Sequence, residues 1–498
     1  MRSEVFDILV KTTGYQYVSY TSSLLQKDSN HFFLARGDKS KYLVIVGESA
    51  VCGLFRGIYE KSIRNLEKKQ KLKIVPTTHE NLQILRRLFP HLNPSSCGLK
   101  KSFGTGDRLG IATPAHVKAF EGKDIFPFFA QQSVRELERT KRNWEDVMDS
   151  AIWGCFEAGY KGKFGADADH VKDPDKLVKA VECGYTMFTI DPSDFVRNTS
   201  TMSPEEKKKI YGSISERSEL ERRYLNRKYE IEGQVLTFDE DSLVDAIVTY
   251  FDALKFVKEM YETLKTYKSD DFDFEVSVDE TDTPTSPLAH IFIVEELRRM
   301  GVEFTNLALR FVGEWQKAID YIGNLKKFER EINLHAAIAR HFGGYKLSLH
   351  SGSDKFSVYP AFSQATEGLF HVKTAGTSYL EAIRVIARKA PELYRKIHRF
   401  ALERFQVEKR SYHVTTDLSK IPDLDSVPDE KLEDFLNAND SRQLIHITYG
   451  AVLTARSEDG SYLFRDELYR VLMENEEEHY ECVGKHIRRH LEMLGTKR

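Results

Sequence analysis

Short apolar runs that end in polar residues recur along the chain, and each is followed by a stretch with helical spacing. Eight are predicted as strands: residues 101–106 (KSFGTG), 125–130 (IFPFFA), 162–168 (GKFGADA), 186–190 (TMFTI), 272–278 (FDFEVSV), 304–311 (FTNLALRF), 345–349 (YKLSL) and 369–374 (LFHVKT). Strands that alternate with helices pair in parallel, and eight such units predict closure into a (β/α)8 TIM barrel of the α/β class. Boundary signals support the intervening helices. Asp173-Pro174 supplies an N-cap and a first-turn proline ahead of Leu177, Val178 and Val181, and Gly184 ends that helix. Trp144, Val147, Met148, Ala151, Ile152 and Cys155 recur at helical spacing, and Ser378 with Glu381 reads as a capping box after the eighth strand.

The flanks break this rhythm. Residues 1–95 are predicted as a small α/β appendage in which KYLVIVGE is a strand and SAVCGLFRGIYEKSIRNL an amphipathic helix. The catalytic barrel is placed at 96–404. A long insertion near 198–271, with charged helical patterns around a hairpin-like YEIEGQVLTFD, is expected to cap one barrel rim. Residues 405–498 read as a helical extension with a Pro- and Asp-rich loop, IPDLDSVPDEK.

At 498 residues the chain has room for a barrel with extensions. Its 73 Lys and Arg against 76 Asp and Glu leave a net charge of -3, so no global field draws it to nucleic acid or acidic lipid. Five scattered cysteines without a C-x-x-C pair argue against a disulfide framework or a thiolate zinc site. The absence of a signal-like start or a long apolar run predicts a cytoplasmic protein with no membrane span. Small molecules are the expected partners, and self-assembly is left open.

A parallel barrel keeps its chemistry at the carboxyl ends of its strands. There the chain offers Asp107 and Arg108; Asp167, Asp169 and His170; Asp191 and Asp194; Asp279, Glu280 and Asp282; Arg310 and Glu314; His350, Ser351, Asp354 and Lys355; and Lys373. Imidazoles with carboxylates form a ligand field for a divalent ion, zinc first and manganese, nickel or cobalt next. Position selects His170, Glu280 and His350 as ligands, with Asp169 as a fourth ligand or the catalytic base, and Glu280 as the other acid/base candidate. Lys373 and Lys355, then Arg108 and Arg310, are the candidates for binding a substrate anion. The TAGTS turn before a helix offers amides to a carboxylate or serves simply as a cap. GTGDRLG is read as a tight turn ahead of a dinucleotide site, because its third glycine falls one position late. His290, His335 and His341 lie on helical patterns and are read as structural.

FGTGDRLGIATPAH, FAQQSVREL, GADADH, SVDETDTPTSP, KLSLHSGSDKFSVYP and HVKTAGTSYLEA together resemble the D-tagaturonate epimerase family, over nearly the whole chain. The resemblance implies a metal-dependent isomerase of hexuronate catabolism that interconverts D-tagaturonate and D-fructuronate at C4, with D-tagatose and D-fructose as further substrates of some relatives. Retro-aldol chemistry through an enediolate is the expected route, with transient oxidation at C4 by a held nicotinamide and direct deprotonation–reprotonation as the other two. A metal-dependent aldolase or aldose–ketose isomerase acting on a sugar acid shares that chemistry and is the alternative. A glycoside hydrolase would need two carboxyls across a cleft and no metal.

Overall fold

The computed structural model describes residues 2–65 and 68–496. Eight parallel strands close into a barrel: β1 (Ser102–Thr105), β2 (Phe126–Ser133), β3 (Gly165–Val171), β4 (Met187–Ile190), β5 (Asp273–Ser277), β6 (Asn306–Ala308), β7 (Lys346–Leu349) and β8 (Phe370–Thr374). Each pairs with its sequence neighbours, and β8 closes on β1. All eight lie within or overlap the predicted segments. Apolar residues such as Phe274, Val276, Leu347, Leu349 and Val372 are buried and belong to the main core. Their alternating neighbours Glu275, Ser277, Ser348, His350, His371 and Lys373 turn into the barrel. Contacts between non-adjacent strands prove that direction: Lys373 on β8 reaches Asp167 on β3 and Glu275 on β5. The interior is therefore buried and largely polar, with a small apolar cluster of Cys97, Phe126, Phe128 and Met187 at the amino end. Gly104 makes this possible on β1, since a Cβ there would collide with the Gln131 side chain.

The far, amino end of the barrel is plugged. Asp273 accepts the amides of Cys97 and Gly98 at 2.6 and 2.7 Å. Lys346 Nζ donates to the carbonyls of Gly98 and Lys100 at 2.9 and 2.7 Å and to Ser102 Oγ at 2.9 Å.

Two local expectations need correction. The predicted helix across residues 49–66 stops after Ser49–Leu54, and Tyr59–Asn65 is a strand paired antiparallel with Lys68–Pro76. Leu66 lies outside the described residues. Gly57 lets that turn approach the carbonyl of Ile74 so closely that a Cβ would sit 2.9 Å from it, so sheet pairing overrides the helical spacing. The helix Thr377–Lys389 has no side-chain cap. Ser378 instead meets His116 Nε2 at 2.7 Å, and Glu381 pairs with Arg384 one turn on in the same helix, so both capping groups are engaged elsewhere.

The insertion holds helices Pro204–Ser213, Arg217–Tyr224 and Glu240–Tyr267, with a hairpin of Lys228–Ile231 and Gln234–Thr237. Its Tyr224, Tyr229 and Glu232 meet Glu296, Glu295 and Arg340 near the C-terminal ends of two outer helices. Barrel helices run opposite to the strands, so this hairpin sits toward the plugged rim. Helix Pro391–Glu408 runs across the expected boundary at 404/405. The last helix, Glu476–Met493, packs on Thr113–Phe120 and Thr377–Lys389, and a second core joins the extension to the barrel's outer layer. Among the described residues no helix is long and apolar enough to cross a membrane.

Candidate active site

At the carboxyl end of the barrel the strands deliver a dense cluster of charges. Lys373 Nζ lies 2.7 Å from Asp167, 2.8 Å from Asp169 and 2.6 Å from Glu275, and it is 4% exposed. Glu275 also meets His350 Nε2 at 2.6 Å, while His350 Nδ1 lies 3.0 Å from Asp279. His170 Nδ1 meets Asp191 at 3.1 Å, and its ring stands 5.1 Å from that of His350. A cavity opens above them in two adjoining lobes of about 340 and about 400 Å³, which share Arg135, Glu280, Lys317, His350, Ser351 and Tyr412.

His170 owes its position to a fault in the strand. Strand alternation alone would send Asp167 and Asp169 inward and His170 outward. The β3–β4 register shifts between Phe188 and Ile190, so Asp169 and His170 together lie opposite Thr189. His170 has φ +51, in the left-handed region, and the bulge lets consecutive residues both face the mouth. Ser351, directly after His350, has φ +50, so the β7 end is bent in a similar way.

Electrostatics follow from the crowding. Burial opposes charge on His170, but Asp169, Asp191 and Glu280 outweigh it and push its pKa up to about 10. Burial is likewise outweighed at His350, where Asp279 and Glu275 raise it to about 9. Asp169 is lowered to about 2, because Lys373 and the two imidazoliums overcome its desolvation. Asp167, beneath them, is raised to about 7 by burial with help from Asp169 and Glu275. The carboxylates of Asp167, Asp169, Asp191, Glu275, Asp279 and Glu280 outnumber their Lys and Arg ion-pair partners among the described residues, Lys373, Arg135 and Lys172. Protons on His170 and His350 offset part of that excess.

The tagaturonate epimerase family model matches residues 20–494. The chain belongs to this family. The tagaturonate/fructuronate epimerase of Thermotoga maritima is 54% identical over 486 residues, spanning 97% of this chain and 98% of that one. The crystal structure of fructuronate-tagaturonate epimerase UxaE from Cohnella laeviribosi with one glycerol is 40% identical, with a TM-score of 0.93 and coverage of 99% and 100% of the two chains. The native structure of the same protein gives a TM-score of 0.92 over 99% and 100%. Family membership makes this chain an epimerase, an enzyme of the isomerase class.

The epimerase fold brings together His170, His350, Asp169 and Lys373. Ligand atoms of His170, Asp279 and His350 lie within 4.8 Å of one another, as do those of His170, Asp191 and Glu280. Glu280 thus reaches His170 but stands on the rim side, paired with Arg135 at 2.9 Å, while Asp279 takes the place beside His350. The expected anion-binding cations fare differently. Lys373 is enclosed by three carboxylates. Lys355 is wholly buried and donates to the carbonyls of Gln316, Ile319 and Ser353, its pKa pushed down to about 7 by that burial. Arg108 is buried against Glu136 at 2.8 Å and stacks 3.6 Å from the Tyr449 ring centroid. Arg310 borders the outer lobe but spends its guanidinium on the carbonyls of Thr281 and Phe311.

The tight-turn reading of GTGDRLG fits: Asp107 accepts the amides of Leu109, Gly110 and Ala112. His290 and His335 meet each other at 3.1 Å in the buried helical layer. At TAGTS, the ring of His446 and the guanidinium of Arg108 crowd Gly376, so a Cβ there would fall 2.1 Å from His446. Sequence reasoning passed over Glu275, Arg135, Lys317 and Tyr412. Glu275 did leave a trace, an acid at the centre of FDFEVSV in phase with Asp273 and Ser277. Arg135 lies within FAQQSVREL without standing out there, and Lys317 and Tyr412 lie in segments whose spacing carries no signal.

Proposed function

We propose that this chain interconverts tagaturonate and fructuronate by epimerisation at C4, with a divalent metal ion at the barrel mouth. The observation that carries the metal is the charge balance: two imidazoles face each other among excess carboxylates, and a divalent cation replacing their two protons would preserve that balance. His170, His350 and Asp279 would hold it, with Asp191 and Glu280 adjoining. A bound ion would supply Lewis-acid stabilisation to the substrate's carbonyl and C3 oxygens as negative charge develops.

C4 lies one carbon beyond the position that a C2 ketone acidifies, so simple proton removal there gains nothing from the carbonyl. Retro-aldol cleavage of C3–C4 avoids the difficulty. A base takes the C4 hydroxyl proton, the bonding pair moves toward C2, and an enediolate and an aldehyde form. The aldehyde turns and re-adds through its other face, and the proton returns. Asp169, facing the cavity beside His170 and Lys373, is the assigned proton carrier, and Glu280, which borders the same lobe, is the other candidate. Tyr412, Arg135 and His446 of the C-terminal extension wall the cavity and limit solvent.

The test is turnover of tagaturonate to fructuronate by protein stripped with EDTA and by the same protein resupplied with zinc, manganese, nickel or cobalt. Loss and recovery of activity are expected. Full activity in verified metal-free protein would overturn the metal assignment, and a large primary deuterium effect at C4 would overturn the retro-aldol route.

A further inference from the structure

The cations around the cavity are nearly all committed to partners. Lys373 is held by three carboxylates, Arg108 by Glu136, Arg135 by Glu280, and Lys172 by Asp191 and Asp194. Lys317 differs. It borders both lobes of the cavity, and its ammonium donates to Ser351 Oγ at 2.6 Å. Among the described residues no carboxylate oxygen lies within the 4.0 Å of an ion pair with it. One hydroxyl satisfies one of its three N–H donors.

Its support is as specific as its exposure to the cavity. The Lys317 carbonyl accepts from Gln443 Nε2 at 3.2 Å, and the neighbouring Gln316 Oε1 accepts from Gln443 at 3.1 Å and from the Thr415 amide and hydroxyl at 3.0 Å each. Thus the C-terminal extension grips the loop after β6 from outside and presents the lysine inward. Ser351, its hydroxyl partner, directly follows His350, so the unpaired ammonium stands beside the imidazole–carboxylate cluster.

We infer that Lys317 binds the carboxylate of the acid substrate and so sets the preference for hexuronates over neutral ketoses. This rests on the tagaturonate reading above. An ammonium fixed on the cavity wall and lacking an internal counter-ion offers an incoming carboxylate a charge-assisted hydrogen bond without displacing an existing ion pair, whereas Arg310, also without an ion pair, is turned onto the carbonyls of Thr281 and Phe311. Lys373 would have to abandon three carboxylates to do the same.

The experiment compares wild type, Lys317→Met and Lys317→Arg for kcat and KM on tagaturonate, with D-tagatose as a neutral competitive inhibitor. Loss of a charge-assisted hydrogen bond predicts a KM about 10- to 100-fold higher in Lys317→Met, with kcat little changed. The tagatose inhibition constant should hold, and Lys317→Arg should recover part of the loss. An unchanged KM, or tagatose inhibition weakened to the same degree, overturns the inference. Wild-type protein that fails to convert tagaturonate refutes the parent reading instead. Lys317 is then judged by calorimetric binding of tagaturonate to wild type and Lys317→Met, where equal affinities, or no binding to either, overturn it and a selective loss upholds it.

Discussion

Two lysines are buried in one barrel interior, Lys346 at the amino end and Lys373 at the carboxyl end, and their surroundings differ in kind. Lys346 is satisfied by backbone carbonyls and a serine hydroxyl, with Asp273 beside it tied to backbone amides. Fixed dipoles of the chain neutralise that end and seal it. Lys373 is satisfied by the side chains of Asp167, Asp169 and Glu275, of which Asp169 and Glu275 meet imidazoles and Asp169 lines the open cavity with it. Side-chain charges can exchange protons where backbone dipoles cannot. One barrel therefore has a structural end and a chemical end, although both are polar and buried.

The sharpest way to break this contrast is to replace each lysine with methionine. Lys373→Met takes the shared ammonium from three buried carboxylates, and a loss of about 3–5 kcal/mol in urea unfolding is expected. Turnover of the folded fraction should fall at least about 100-fold, since the acid–base set loses its order. Lys346→Met should cost about 1–3 kcal/mol from unpaired carbonyls yet leave kcat within about twofold. Equal losses of turnover would erase the distinction between the two ends.

A second measurement sharpens the account of the chemical end. With His170 raised to about 10 and His350 to about 9, both imidazoles carry protons near neutrality. Loading a divalent ion near pH 7.5 should then release about two protons, read by calorimetry in buffers of different ionisation enthalpy. A heat independent of buffer would show that the ion binds elsewhere.

The smallest effect is on stability against pH in metal-free protein. Both histidines have folded pKa values above the unfolded value of about 6.5, so their contribution is complete below that pH and lost as pH rises through about 9 and about 10. Asp167, raised to about 7, adds a loss in the same direction between about pH 4 and 7. Asp169 works oppositely, its contribution lost only as pH falls toward about 2. The melting temperature of chelated protein should therefore decline from neutrality to about pH 10, more steeply than in a His170→Gln, His350→Gln double variant. Identical profiles would show that these imidazoles do not hold the charge.

The order of elements was legible because period-two and helical spacings are local properties of the chain, and all eight barrel strands declare themselves that way. The residues at strand ends were legible for the same reason, since topology alone carries His170, His350, Asp169 and Lys373 to one rim. Their roles were not. Lys373 reads as a free cation in HVKTAGTS, and only closure of the barrel sets Asp167, Asp169 and Glu275 around it. Asp279 and Glu280 are adjacent letters, and the turn after β5 decides which one meets His350. The bulge that swings His170 into the mouth is a mismatch between two strands, which neither strand's sequence contains. Lys317 is unremarkable in GEWQKAID until Gln443 and Thr415, more than 90 residues away, hold its loop against the cavity. Spacing along a chain specifies which face a side chain takes, whereas the counter-charge it meets there is supplied by distant segments and exists only once they have packed.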